Sequence, residues 1–100
     1  RIFDVCYFLT GLLSEETDDA FTQREWLASV KAVIAGYESV NPLSEKEKQA
    51  VPCVMVCIEM LCAAYFIRVK DVKRAGEACQ ICRLIQNCES AICASAGSFV

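Results

Sequence analysis

Histidine is absent from this 100-residue chain. That removes the commonest general base and metal ligand, and with it any Ser-His or Cys-His pair for nucleophilic catalysis. Glycine is scarce: Gly11, Gly36, Gly76 and Gly97 stand alone, so no glycine-rich loop is available to cradle a phosphate. A basic stripe is missing too. Ten Lys and Arg against thirteen Asp and Glu leave a net charge of −3, which argues against nucleic acid as a partner, because nothing is arrayed to neutralise a row of phosphates. Strand-type alternation, internal repeats and low-complexity blocks do not occur, and the chain reads as all-α. It opens on Arg1 and not Met, with no n-region or cleavage site before the first apolar residues; no signal peptide is expected, and the first residue reads as a truncation point.

Apolar residues are what the chain has in excess. They make up 55% of it, above the roughly 45–50% of an average domain, and a small domain has too little interior to hide them all. Part of the surface is therefore expected to face something else. The densest run is Val51 to Val69, interrupted only by Pro52, Glu59 and Arg68. As a helix it is apolar on nearly every side and must be surrounded. Even the face of Glu59 is apolar, with Met55, Val56, Cys62 and Ala63 as its helical neighbours and no base on its own helix to pair with. Lipid is a poor fit for the cover: the run is short for a span and carries a proline at its start and a carboxylate at its centre. Amphipathic helices on either side can cover it instead.

Ile2 to Leu13 repeats apolar residues at three- and four-residue steps, with Asp4 in the first turn where a carboxylate favours the positive end of the helix dipole. Ser14 to Asp19 is a polar, acidic connection whose spacing fits no calcium loop. Thr22-Gln23-Arg24-Glu25 matches a capping box, and Trp26, Leu27, Val30, Val33, Ile34 and Tyr37 follow as the stripe of a second helix ending near Ser39. Asn41-Pro42 makes a turn, and Ser44-Glu45-Lys46-Glu47 is another capping box. Pro52 predicts a short helix to Ala50, then a kink or restart into the central helix. Asp71 caps a last helix from Val72 to about Ala94, and the tail from Ser95 to Val100 is expected to fray. The architecture expected is a four-helix, bundle-like assembly.

Eight cysteines in so short a chain suggest disulfides if it is secreted, but most fall inside helical apolar patterns, where thiols act as small hydrophobes, and a reducing cytosol fits better. Cys79 and Cys82 form a C-x-x-C, and Cys53 and Cys57 stand one turn apart, so four thiolates around zinc are conceivable. Zinc sites place such pairs on turns, whereas these sit mid-helix, and inert core thiols are the preferred reading; no metal site is assigned. Glu59 is expected to pair with a Lys or Arg from another helix. Trp26, Tyr37 and Tyr65 are expected in the core.

Three stretches together resemble the C-terminal helical region of the aminoglycoside phosphotransferase and choline kinase superfamily, nearest its homoserine kinase-like branch. Arg1-Ile2-Phe3-Asp4-Val5-Cys6 is similar to the aromatic-Asp-aliphatic-small start of the helix that follows the family's magnesium-binding strand. Ile34-Ala35-Gly36-Tyr37-Glu38-Ser39-Val40-Asn41-Pro42-Leu43-Ser44 is similar to a helix end with Gly-Tyr and the turn into Leu-Ser. Glu47-Lys48-Gln49-Ala50-Val51-Pro52 is similar to the Glu-x-x-Ala-Leu-Pro that enters the next long helix. Order and spacing agree, and the likeness runs to about Phe66.

The resemblance implies the C-terminal helical part of a protein-kinase-like fold. It also implies a parent protein that transfers the γ-phosphoryl of ATP, with Mg²⁺ in place, to a small-molecule hydroxyl. The nucleotide-gripping lobe, the catalytic loop and the metal-binding Asp would lie upstream of Arg1, and this chain would hold no catalytic residue and no cofactor. Asp4 would brace the catalytic loop's backbone. Tyr7 and Thr10 would line the acceptor pocket; the acidic residue that the choline kinase branch carries on this helix has no counterpart here. The expected partners are the missing catalytic part and, for the isolated chain, a second copy, met through Phe3, Cys6, Tyr7 and Phe8 of the first helix. The alternative is a standalone helical interaction or dimerisation module.

Overall fold

The computed structural model describes residues 2–15 and 23–98, and everything in it is helix or short turn. Five helices follow one another: α1 (Phe3–Glu15), α2 (Gln23–Val40), α3 (Glu45–Arg68), α4 (Val72–Asn87) and α5 (Glu89–Ser95). The acidic connection and Thr22 of the first capping box lie outside the described residues. The second capping box is made in full. Ser44 Oγ accepts from the Glu47 backbone N–H at 3.1 Å, and Glu47 Oε1 accepts from the Ser44 N–H at 2.9 Å, which satisfies two donors that the helix start leaves open. Asp71 caps α4 the same way, its carboxylate accepting from the Arg74 N–H at 3.2 Å.

Pro52 does not divide the central helix. α3 runs unbroken through it, so the expected restart after Ala50 does not occur. A mid-helix proline removes one backbone bond and costs about 3 kcal/mol, and packing supplies the compensation. Val51, Pro52 and Met55 are all buried. Thiols from two other helices also reach the neighbouring carbonyls: Cys6 Sγ donates to Val51 O and Cys93 Sγ to Gln49 O, both at 3.8 Å.

α3 lies against α1, α4 and α5, while α2 closes the bundle over α1 and α5. The core is the meeting of Cys6 and Leu9 from α1, Trp26, Val30 and Ile34 from α2, Val51, Met55 and Ile58 from α3, and Ile85 and Ile92 from the C-terminal helices. Trp26 is fully buried, and its indole Nε1 donates to the Leu9 carbonyl at 2.8 Å, so the largest core side chain also has its one polar atom satisfied. At the other end of α2, Glu38 accepts from the Leu43 N–H at 3.3 Å and pairs with Lys48 of α3 at 2.9 Å. That pairing, together with burial acting against it, leaves the Glu38 carboxyl below its ordinary range.

The expected last helix is present in two pieces. The Cys88 N–H is shared between the Leu84 and Ile85 carbonyls at 3.0 and 3.1 Å, a tightened final turn. α5 adds Ile92 and Ala96 to the core that also holds Cys88. The tail is docked as far as Ser98, against the expectation of fraying. Gly97 takes φ +89°, Gly97 N–H donates to Ala94 O at 3.0 Å and Ser98 N–H to Cys93 O at 2.9 Å, the paired bonds of a Schellman cap. Ser98 Oγ then donates to Glu45 Oε1 at 2.6 Å.

The same cap ends α3, with a less suitable residue in its left-handed position. Lys70 N–H donates to Ile67 O at 3.0 Å, Asp71 N–H to Phe66 O at 2.8 Å, and Lys70 has φ +63°. A side chain there costs about 1–2 kcal/mol, part of which glycine returns as unfolded-state entropy. Lys70→Gly is therefore expected to stabilise the fold by about 0.5–1 kcal/mol, read as a rise in urea midpoint at unchanged slope. An unchanged or lower midpoint would contradict the strain assigned to Lys70.

Candidate functional site

α1 divides its side chains sharply. Cys6, Leu9 and Thr10 are buried, while Phe3, Asp4, Tyr7 and Phe8 are exposed, as expected of a helix whose three- and four-residue steps return to one face. Phe3 and Tyr7, one turn apart, stack with centroids 6.1 Å apart. Two open hollows flank them. One, of about 400 Å³, is bordered by Asp4, Tyr7, Phe8, Gly11 and Leu12. The other, of about 360 Å³, lies between Phe3 and Tyr7 on α1 and Leu61, Cys62, Tyr65 and Phe66 on α3. At its far end the Arg74 guanidinium stands 5.9 Å from the Phe66 ring centroid, within cation–π range. Nothing in the sequence announced that pair, because the two residues meet only across the turn between α3 and α4.

Of the expected site residues, Asp4 and Tyr7 come together at the first hollow. Thr10 lines neither hollow. It is 1% exposed, and its hydroxyl donates to the Tyr7 carbonyl at 3.1 Å, within its own helix. Cys6, expected at a contact surface, is fully buried, and burial pushes its thiol up to about 12. Tyr65, expected in the core, is 58% exposed on the rim of the groove, while Trp26 keeps its core place and Tyr37 is half-buried.

Glu59 is buried, as the apolar run implies, but the expected basic partner is missing: no Lys or Arg among the described residues pairs with it. Desolvation raises its pKa. Cys62 on α3 and Cys82 on α4 lie beside it, and both thiols are pushed up, by burial first and by the Glu59 charge second. Cys82 Sγ donates to the Val56 carbonyl at 3.9 Å. Cys88 and Cys93 are likewise raised, chiefly by burial. Three thiols depart from the inert-core expectation: Cys53, Cys57 and Cys79 are exposed. Among the described residues no three Cys, Asp or Glu side chains converge closely enough to hold a metal ion. No protein-family model, curated protein or solved structure matches the chain.

Two measurements follow from this chemistry. A carboxyl whose folded pKa is raised adds stability below its unfolded pKa and loses it as pH rises through the folded value. Glu59→Gln should therefore match the parent chain near pH 4 and be more stable than it near pH 8, compared by urea midpoints. The Glu38 pair weakens equally in both proteins at low pH and cancels in the difference. A variant less stable at pH 8 than at pH 4, relative to the parent, would show that the Glu59 charge is compensated. Separately, a thiol reagent at neutral pH should label the exposed Cys53, Cys57 and Cys79 in a fast phase and the buried Cys6 and Cys88 only as the chain opens; mass mapping that found Cys6 or Cys88 in the fast phase would contradict the packing.

Proposed function

We propose that this chain is the C-terminal helical subdomain of an ATP-dependent small-molecule phosphotransferase working in the cytosol, silent by itself and completed by the catalytic part of the same protein. One observation carries the reading: the outer face of α1 presents Asp4 beside exposed Phe3, Tyr7 and Phe8. In the resemblance, this helix follows the metal-binding strand, and its carboxylate is needed as an acceptor for catalytic-loop N–H groups. A free carboxylate at the start of an uncovered aromatic face suits that task, since a seated partner would desolvate it and strengthen each bond it accepts.

Phosphoryl transfer is mostly positioning and charge stabilisation. This chain offers neither the nucleotide cradle nor the base. Its part in the reaction is a wall: Tyr7 at the α1 hollow on the acceptor side, and Asp4 fixing the loop that works on the phosphate. ATP and Mg²⁺ belong to the catalytic part. The rival reading, a standalone helical interaction module, draws on the same uncovered apolar surface without needing Asp4.

The reading frame upstream of Arg1 separates the two. A strand carrying an Asp a short way before Arg1, with a His-x-Asp further back, is expected for the phosphotransferase. With Mg·ATP and a panel of amino alcohols and sugars, the 100-residue chain should release no ADP and the full gene product should. Asp4→Ala should then lower kcat of the full protein on the order of 100-fold, as a misplaced catalytic loop does. In the 100-residue chain it should cost only about 0.3–1 kcal/mol of stability, the worth of a charge at a helix start. Turnover by this chain alone, or a full protein indifferent to Asp4→Ala, would defeat the proposal.

A further inference from the structure

The turn between α3 and α4 carries charge of the opposite sign to the rest of the chain. From Ile67 to Arg74 there are four basic residues, Arg68, Lys70, Lys73 and Arg74, and one acidic, Asp71, a local charge of +3; the remaining six basic and twelve acidic residues sum to −6. Asp71 is occupied with Arg74, through a contact of 3.6 Å from Nε to Oδ2 and through the cap on the Arg74 N–H. Arg68, Lys70 and Lys73 are exposed, and no carboxylate among the described residues pairs with them. Apolar side chains are interleaved with these cations and stand equally open: Ile67, Val69 and Val72 are 65%, 51% and 78% exposed. Neither hollow beside α1 includes a residue of this segment; it is the convex end of the hairpin that packs α3 on α4.

We infer that this turn docks reversibly on an anionic lipid surface, with the Arg68, Lys70 and Lys73 cations over headgroup phosphates and carboxylates and with Val69 and Val72 set into the headgroup layer. Three observations select that occupant. The first is charge: each Lys or Arg near an anionic leaflet adds to the attraction, and Glu45 and Glu47 at the opposite end of α3 turn the molecule so that the basic end leads. The second is the mixture of side chains. Long basic stems lie along apolar surface while their ends reach anions, which a headgroup layer over acyl chains satisfies in both respects, whereas a purely acidic chain would leave Val69 and Val72 unused. The third is shape, since a convex end meets a plane without needing a groove. Lys70 adds to the case: its φ of +63° is a conformation in which glycine would be relaxed, so the cation there costs the fold stability. Docking at the headgroups leaves α3, the one described helix long and apolar enough to cross a membrane, packed on α1, α4 and α5.

The inference uses neither Asp4 nor Tyr7, so it does not rest on the proposed activity and is tested without it, by flotation of the 100-residue chain with vesicles in reductant. Phosphatidylcholine vesicles with about 30 mol% phosphatidylserine should capture the chain, and phosphatidylcholine alone should not. Capture should fall away between about 50 and about 500 mM salt as the Debye length shrinks. Lys70→Gln and Lys73→Gln should each weaken binding about fivefold, whereas Lys31→Gln, which removes the same charge from exposed α2 surface, should change it less than about twofold. Lys70→Gly should weaken binding as much as Lys70→Gln even as it raises the urea midpoint, so that a loss of docking there is not a loss of fold. Absence of capture at low salt, or equal effects of Lys31→Gln and Lys70→Gln, would overturn the inference. So would equal capture by neutral vesicles, which would move the contact to the apolar face of α3, or tighter binding to polyglutamate than to the anionic vesicles, which would make an acidic protein the occupant.

Discussion

A helix without a polar face forces its neighbours to be chosen for it. α3 has apolar residues around its full circumference, and the other elements are arranged by how they cover the arc through Val51, Met55, Ile58 and Ala63. α1, α4 and α5 each take a share of that arc, and α2 seals the gap between the first and the last of them. The cover is strong enough to override a local rule. Pro52 stays inside an unbroken helix because the turn around it is buried among its neighbours, and the thiols of Cys6 and Cys93 turn toward the Val51 and Gln49 carbonyls of the same turn.

Glu59 shows what that arrangement leaves unsettled. A carboxyl with no basic partner, set between two thiols that it also perturbs, offers the packing nothing as an anion and is tolerated best when neutral. Its neighbours are correspondingly poor nucleophiles, since each thiol beside it resists ionisation. The reactive chemistry of the chain is thus pushed outward, to the exposed cysteines and the aromatic face of α1, and away from the seam that holds α3 to α4.

Most of the fold was legible in the sequence because its signals are local. Capping residues at Ser44 and Asp71, the stripe from Trp26 to Tyr37 and the turn at Asn41-Pro42 each depend on a few adjacent residues, and each appears where its spacing puts it. The turn at Cys88 was not legible, since no glycine or proline marks it; what accompanies it is the burial of Cys88, Ile92 and Ala96 in the core. Nor could an all-apolar helix reveal its open side. Periodicity identifies a buried face by contrast with a polar one, and α3 offers no contrast, so Cys53, Cys57 and Tyr65 were assigned inward with the rest. Of the candidate site, Asp4 and Tyr7 share a face by spacing alone, while Thr10, one turn further on, falls on the buried side and satisfies its hydroxyl within the helix.

The contact between Ser98 and Glu45 sets an order on the making of this protein. The central helix begins at Glu45, but the residues that close over its first turn, from Ile92 to Ser98, are among the last of the described chain to be synthesised. While the ribosome is still adding α4 and α5, the pairing of α1 with α2 through Trp26 can form, but one flank of α3 and the end of α2 have no cover. A nascent chain in that state carries an apolar helix whose shelter is still inside the exit tunnel, so the interval before Ser98 emerges is the one in which chaperones, or a premature encounter with another nascent copy, act on it.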